Sequence, residues 1–112
     1  MQAALVHNFL YFLITWYANY FHNSDDFFNK LNKGELDLPK DYKWDIIFID
    51  GLHLADQCFR DFENALSHCS DNGFIAFHDA SPPTIYHARE DYYDHSSPAG
   101  GWWNGTVWKT IQ

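Results

Sequence analysis

Apolar positions along the chain fall into five stretches separated by polar punctuation. Residues 3–21 (AALVHNFLYFLITWYANYF) are mostly apolar without a clear period. Residues 24–33 follow, with Asn23 or Ser24 placed to cap a helix whose first turn holds Asp25 and Asp26, acids that suit the positive end of a helix dipole. That helix runs through FFNKL and stops near Gly34, and Pro39 keeps the charged segment after it non-helical. WDIIFID (44–50) is too short for a helix and rich in β-formers, which predicts a buried strand. Ala55, Cys58, Phe59, Phe62, Ala65, Leu66 and Cys69 then recur at three- and four-residue steps, predicting one amphipathic helix with Asp56 and Arg60 paired on its wet side. Ser70-Asp71-Asn72-Gly73 ends that helix, with Gly73 suited to a left-handed conformation. FIAFHD (74–79) is a second short strand.

Strand, helix, turn and strand make a βαβ unit with parallel strands. The predicted fold class is therefore α/β, a partial Rossmann-like parallel sheet with flanking helices, in a single domain spanning residues 1–112. Beyond the unit periodicity fades. Residues 80–104 hold three of the four prolines and the Tyr92-Tyr93 and Trp102-Trp103 pairs, and a loop of that length is functional or disordered. VWKTIQ looks like the start of a further helix.

Charge narrows the partners. Seven Lys and Arg stand against fifteen Asp and Glu, a net charge of −8, with the basic residues scattered singly. Nucleic acid and anionic membrane surfaces need clustered cations and are not expected as partners. The apolar start lacks a basic leader and a clear cleavage site, and His7, Asn8 and Asn19 would be costly in a bilayer, so it reads as a buried or partner-facing segment. Cys58 and Cys69 sit about 16 Å apart on one helix at 1.5 Å per residue, too far for a disulfide. Free thiols fit a reducing, cytoplasmic location.

Candidate chemistry sits at the ends of the two strands. Asp50 and Asp79 each close one, and neighbouring parallel strands bring such ends together at the carboxyl edge, where open α/β sheets bind ligands. Paired carboxylates repel unless a cation lies between them, and a hard ion such as Mg²⁺ takes oxygen ligands of this kind. His53, in the loop after Asp50, is a candidate general base, since an imidazole readily takes a proton near neutral pH. Strand alternation sends His78 to the opposite face from Asp79, as a packed, hydrogen-bonded histidine. His7, His22, His68, His87 and His95 lack metal-ligand spacing, and Asn104-Gly105-Thr106 matches a glycosylation tripeptide of the kind that arises by chance.

The stretch WDIIFIDGLHLADQCFRDFENALSHCSDNGFIAFHDASPP resembles class I S-adenosylmethionine-dependent methyltransferases, in the bacterial family with an IDG-x-H…NG-x-I-x-x-HD core. NSDDFF (23–28) is similar to the segment after that family's third strand, and GGWWNGTVWK (100–109) to the start of the helix after its substrate loop. The resemblance implies that S-adenosylmethionine is the cofactor and that Ser24 and Asp25 contact its adenine. It also implies that Asp50 lies beside the methyl-transfer centre, and that Asp50 and Asp79 are metal ligands in the catechol-type relatives. His53 then orients or deprotonates the acceptor, an O- or N-nucleophile of a small molecule or sugar. The third ligand position of those relatives is Ala80 here. No glycine precedes Gly34, so the family's Gly-rich cofactor loop has no counterpart, residues 1–19 match nothing expected there, and the closing strands are missing.

Two readings follow: a methyltransferase in truncated form, and a catalytically inactive fragment or paralogue acting only in assembly or binding. An incomplete sheet exposes apolar surface, which implies self-association. A phosphoacceptor receiver domain is disfavoured because Asp25-Asp26 opens a helix and no Lys ends a strand.

Overall fold

The computed structural model describes residues 9–13, as backbone, and residues 24–112. The readings of residues 1–8 and 14–23, including the histidines at 7 and 22 and the Asn23 cap, lie outside the described residues. Elements run β1 (Phe9–Leu13), α1 (Ser24–Lys33), β2 (Trp44–Asp50), α2 (Ala55–His68), β3 (Cys69–Phe77) and α3 (Trp108–Ile111). The three strands form one sheet in the order β1-β2-β3, with both pairs parallel. This is the α/β architecture expected of a partial Rossmann-like sheet, with β2-α2-β3 as its βαβ unit. Among the described residues no helix is long and apolar enough to cross a membrane.

Helix α1 begins with Asp25 and Asp26 and ends with Lys30 and Lys33, acids and bases at the dipole ends that favour them. Its stop is a Schellman motif: Gly34 N–H donates to the Leu31 carbonyl (3.0 Å) and Glu35 N–H to that of Lys30 (2.9 Å). Gly34 supplies the required left-handed conformation at φ 72°. Phe28 and Leu31 from α1 pack with Trp44, Ile47 and Ile49 of β2, Cys58 and Ala65 of α2, and Val107. Each of the larger apolar side chains contributes about 1.5–3 kcal/mol relative to exposure. His68 belongs to this core: its ring stacks on Phe28, with centroids 5.5 Å apart, and Nδ1 lies 3.0 Å from the Tyr42 carbonyl.

Three local expectations need correction. Helix α2 ends at His68, so Cys69 opens β3, and Ser70–Gly73 form no left-handed turn. They form a bulge instead, for Trp44 pairs with Cys69 while Ile46 pairs with Phe74. Gly73 is required by close approach: a Cβ there would lie 2.6 Å from Cys69 Sγ and 3.0 Å from the Asp45 carbonyl. Second, the buried stripe of α2 is Cys58, Asp61, Ala65 and His68, whereas Phe59 and Leu66 are exposed. Third, Arg60 turns to Asp25 and Gln57, not to Asp56.

The sheet is covered unequally. Ile47 and Ile49 face the helices and are buried, while on the alternate positions Phe74 of the edge strand is 71% exposed.

Candidate functional site

Asp50 is the last residue of β2, and Gly51–Leu54 lead into α2. His53 in this loop is fixed from the far end of the chain. Thr106 N–H donates to the His53 carbonyl (2.8 Å), and the Trp103 indole stacks on the imidazole, with centroids 5.2 Å apart and planes at 27°. Gly105, at φ 67°, brings backbone so close that a Cβ would collide with the His53 carbonyl. The 104–106 tripeptide thus works from inside the fold, with Thr106 buried and Asn104 Nδ2 donating to Asp79 Oδ1 (3.0 Å).

β3 ends at Phe77, two residues before Asp79, and His78 N–H continues the ladder by donating to the Ile49 carbonyl (2.9 Å). Asp79 then adopts φ 55°. This left-handed residue ends the alternation on which the placement of His78 rested, and the expectation that His78 faces away is overturned. His78 Nδ1 lies 3.1 Å from Asp50 Oδ1 and 3.1 Å from Asp79 Oδ2. His53 Nε2 lies 3.5 Å from Asp50 Oδ1 and 3.4 Å from Asp79 Oδ2. Two carboxylates and two imidazoles therefore meet at the carboxyl edge of the sheet. His53 Nδ1, on the far side of its ring, is buried without a hydrogen-bond partner among the described residues.

Ser24 and Asp25 lie apart from this cluster in their contacts, at the junction of α1 with α2. Ser24 is buried, and its hydroxyl donates to Asp61 Oδ1. Gln57 Nε2 reaches Ser24 Oγ, Asp25 Oδ1 and Asp61 Oδ1 at 3.1–3.2 Å. Burial pushes the Asp61 carboxyl above the ordinary value, against the opposing pull of the Ser24 and Gln57 hydrogen bonds. Asp61 Oδ2 has no partner among the described residues.

Above the edge, residues 80–107 are irregular but tied together. Arg89 donates to the carbonyls of Tyr86, Trp102 and Gly100, and Trp103 Nε1 donates to the Arg89 carbonyl (2.7 Å). Tyr92 packs edge-on against Trp103 at 5.2 Å, so it supports the ring that stacks on His53. The sequence named the tryptophan and tyrosine pairs but not which members face the site. His78 and Asn104 were missed in this role, although the His-Asp dipeptide after the strand was the available signal for the first.

A parallel sheet flanked by helices, with acids and imidazoles meeting at its carboxyl edge, defines an α/β protein of the Rossmann-like class. Within that class the chain belongs to the methyltransferase-domain family: the model of that family matches residues 12–80, more than half of the sequence. That span includes Asp50, His53, His78 and Asp79. Searches against curated proteins and against solved structures gave no significant match.

Proposed function

We propose that the chain serves methyl transfer from S-adenosylmethionine to an oxygen or nitrogen nucleophile of a small molecule or sugar, at the carboxyl edge of its sheet. The observation that carries this reading is the meeting of Asp50, His53, His78 and Asp79 inside the family-matched segment. S-adenosylmethionine, when bound, supplies an electrophilic methyl group. The remaining work falls to the protein. Asp50 closes the strand beside the transfer point and His53 Nε2 takes the acceptor's proton, with Asp50 and Asp79 offsetting the charge the imidazole gains. Trp103 and Tyr92 form an aromatic wall that orients the acceptor, and orientation supplies much of the rate in a displacement of this kind.

For the cofactor, Asp25 is the half-open member of the adenine pair, with its side chain 37% exposed, whereas the Ser24 hydroxyl is turned to Asp61. For a metal, Asp50 and Asp79 bring oxygen ligands, and Ala80 brings none. Two free thiols, Cys58 and Cys69, accord with a cytoplasmic setting.

Calorimetric titration with S-adenosylmethionine tests the reading. Binding at micromolar affinity that is weakened by Asp50→Ala, with methyl transfer abolished by His53→Gln, is the expected result. The commitment of Ser24 to Asp61 favours a second reading, a non-catalytic member acting in assembly or binding. No heat at millimolar cofactor would select it.

A further inference from the structure

Asp50, His53 and His78 each present one ligand atom, and these atoms all lie within 4.8 Å of one another. We propose that they form a site for a borderline divalent transition metal of the Zn²⁺ class, with Asp50 Oδ1, His53 Nε2 and His78 Nδ1 as ligands. The inference concerns the same sheet edge as the reading above but stands on donor chemistry and geometry alone, and with the ion bound His53 Nε2 is a ligand and no longer takes the acceptor's proton.

Donor chemistry comes first. Imidazole nitrogen suits Zn²⁺ and its neighbours, while Mg²⁺ and Ca²⁺ select oxygen. Two of the three converging ligands are imidazoles, and Ala80 adds no oxygen where an all-oxygen site would need one. Two carboxylates brought to one point also favour a cation between them.

Geometry agrees too. Four ligands at Zn–N and Zn–O lengths of about 2.0–2.1 Å span tetrahedral edges of about 3.3–3.4 Å. An octahedral ion at about the same bond length has adjacent edges nearer to about 2.9 Å. The two edges to Asp50 Oδ1 are 3.5 Å from His53 Nε2 and 3.1 Å from His78 Nδ1, close to the tetrahedral value, while the edge between the two nitrogens is within 4.8 Å and closes to that value when the ion binds. Asp79 Oδ2 stands 3.4 and 3.1 Å from the same two nitrogens, beside the fourth position. Three protein ligands with a fourth place left to a carboxylate or water is the pattern of reactive rather than purely structural zinc sites.

The ligands are held in advance. His53 is clamped by Thr106 and Trp103, and His78 is anchored through its backbone to Ile49 and packs edge-on against Phe48 at 5.9 Å. The His78 side chain is 49% exposed, which leaves an ion a way in. Among the described residues His53 Nδ1 has no acceptor of the kind that usually orients a ligating imidazole, and such a partner is worth about 10–100-fold in affinity. Affinity lower by about that factor than in a site with both imidazoles oriented is the consequence.

The test uses the full chain, without S-adenosylmethionine. Co²⁺ is titrated and followed by its visible absorption, then displaced with Zn²⁺, with millimolar Mg²⁺ as competitor. The expected result is an intense low-coordination Co²⁺ spectrum, lost on Zn²⁺ addition and indifferent to Mg²⁺. His78→Gln and Asp50→Asn should each weaken Zn²⁺ binding by more than the roughly 10–100-fold that an outer partner is worth, with circular dichroism unchanged. His87→Gln, outside the cluster, should leave affinity as it is. Equal binding in His78→Gln and wild type would overturn the proposal, since it would place the ion on other histidines, and so would displacement of Co²⁺ by Mg²⁺. A separate cofactor titration keeps the two readings distinguishable: metal binding without cofactor binding retains this site and removes the methyl-transfer reading, and the converse does the opposite.

Discussion

Thr106 Oγ1 accepts the amide proton of Ala55, 51 residues earlier in the chain, at 2.8 Å. Ala55 is the first residue of α2, and the cap position Leu54 offers no side-chain acceptor of its own. A residue distant in sequence thus caps the helix that follows the His53 loop, while its own amide holds the His53 carbonyl. Thr106→Val keeps the shape and removes the acceptor. It should cost about 1 kcal/mol, as lost caps do, and lower the melting temperature by roughly 4–8 °C. Thr106→Ser should restore most of the loss. An unchanged melt for Thr106→Val would mean that water replaces the hydroxyl at no cost.

Gly105→Ala should be worse than loss of the cap. The position combines a left-handed backbone with a collision between any Cβ and the His53 carbonyl, so the strand-to-helix loop must move to admit a methyl group. The expected outcome is a larger drop in melting temperature than in Thr106→Val, with altered packing of Trp103 on His53. Tryptophan fluorescence reports the second effect directly. Gly101→Ala is the control, because a Cβ there meets nothing within 4 Å.

These contacts show what the sequence could and could not disclose. β2 was legible to the residue because an apolar run of β-formers bounded by charges admits only one reading, and Gly34 marked the end of α1 because few other residues take its backbone. The parallel βαβ unit followed from order alone. What failed was local rule applied where tertiary contact overrides it. Asp61 interrupts an apolar stripe yet is buried, because Ser24 from α1 donates a hydrogen bond to it, beside the one from Gln57 a turn earlier on α2. His78 joined the site because Asp79 leaves the extended conformation, and no periodicity encodes that. Asp50, His53 and Asp79 were visible as strand-end chemistry; Trp103 and Asn104 were not assigned, since their positions depend on how the 80–107 loop folds back.

Among the described residues one face of the sheet at β3 is uncovered, self-association is the behaviour expected of it, and the occupant we assign is a second copy of the chain. Phe74 lies on β3, 71% exposed, and among the described residues no strand pairs with the outer edge of β3. A large apolar residue on such an edge favours pairing with another edge, and a charge there opposes it. Light scattering at micromolar concentration should give a mass above that of the monomer. Phe74→Lys should return it to the monomer mass without loss of helical circular dichroism. A monomeric wild type at that concentration would remove the idea.

The buried Asp61 sets a pH dependence whose sign can be worked out. Its carboxyl is raised above the ordinary value, chiefly by desolvation, so the folded chain holds this proton to higher pH than the unfolded chain does. Between the unfolded value, about 3.9, and the higher folded value the folded state binds more protons, and stability falls as pH rises. The contribution is fully present below the unfolded value and is lost through the window up to the folded one. Other carboxylates and histidines titrate in the same region, so the difference between wild type and Asp61→Asn isolates it. Asparagine can still accept the Ser24 proton, and any cost of its amide where Oδ2 now lacks a partner is independent of pH. Urea unfolding midpoints measured from about pH 4 to about pH 7 should therefore fall more steeply for wild type than for Asp61→Asn. If wild type instead gains on the variant as pH rises, the ionised carboxylate is the form that the α1–α2 junction prefers, and the hydrogen bonds from Ser24 and Gln57 outweigh burial.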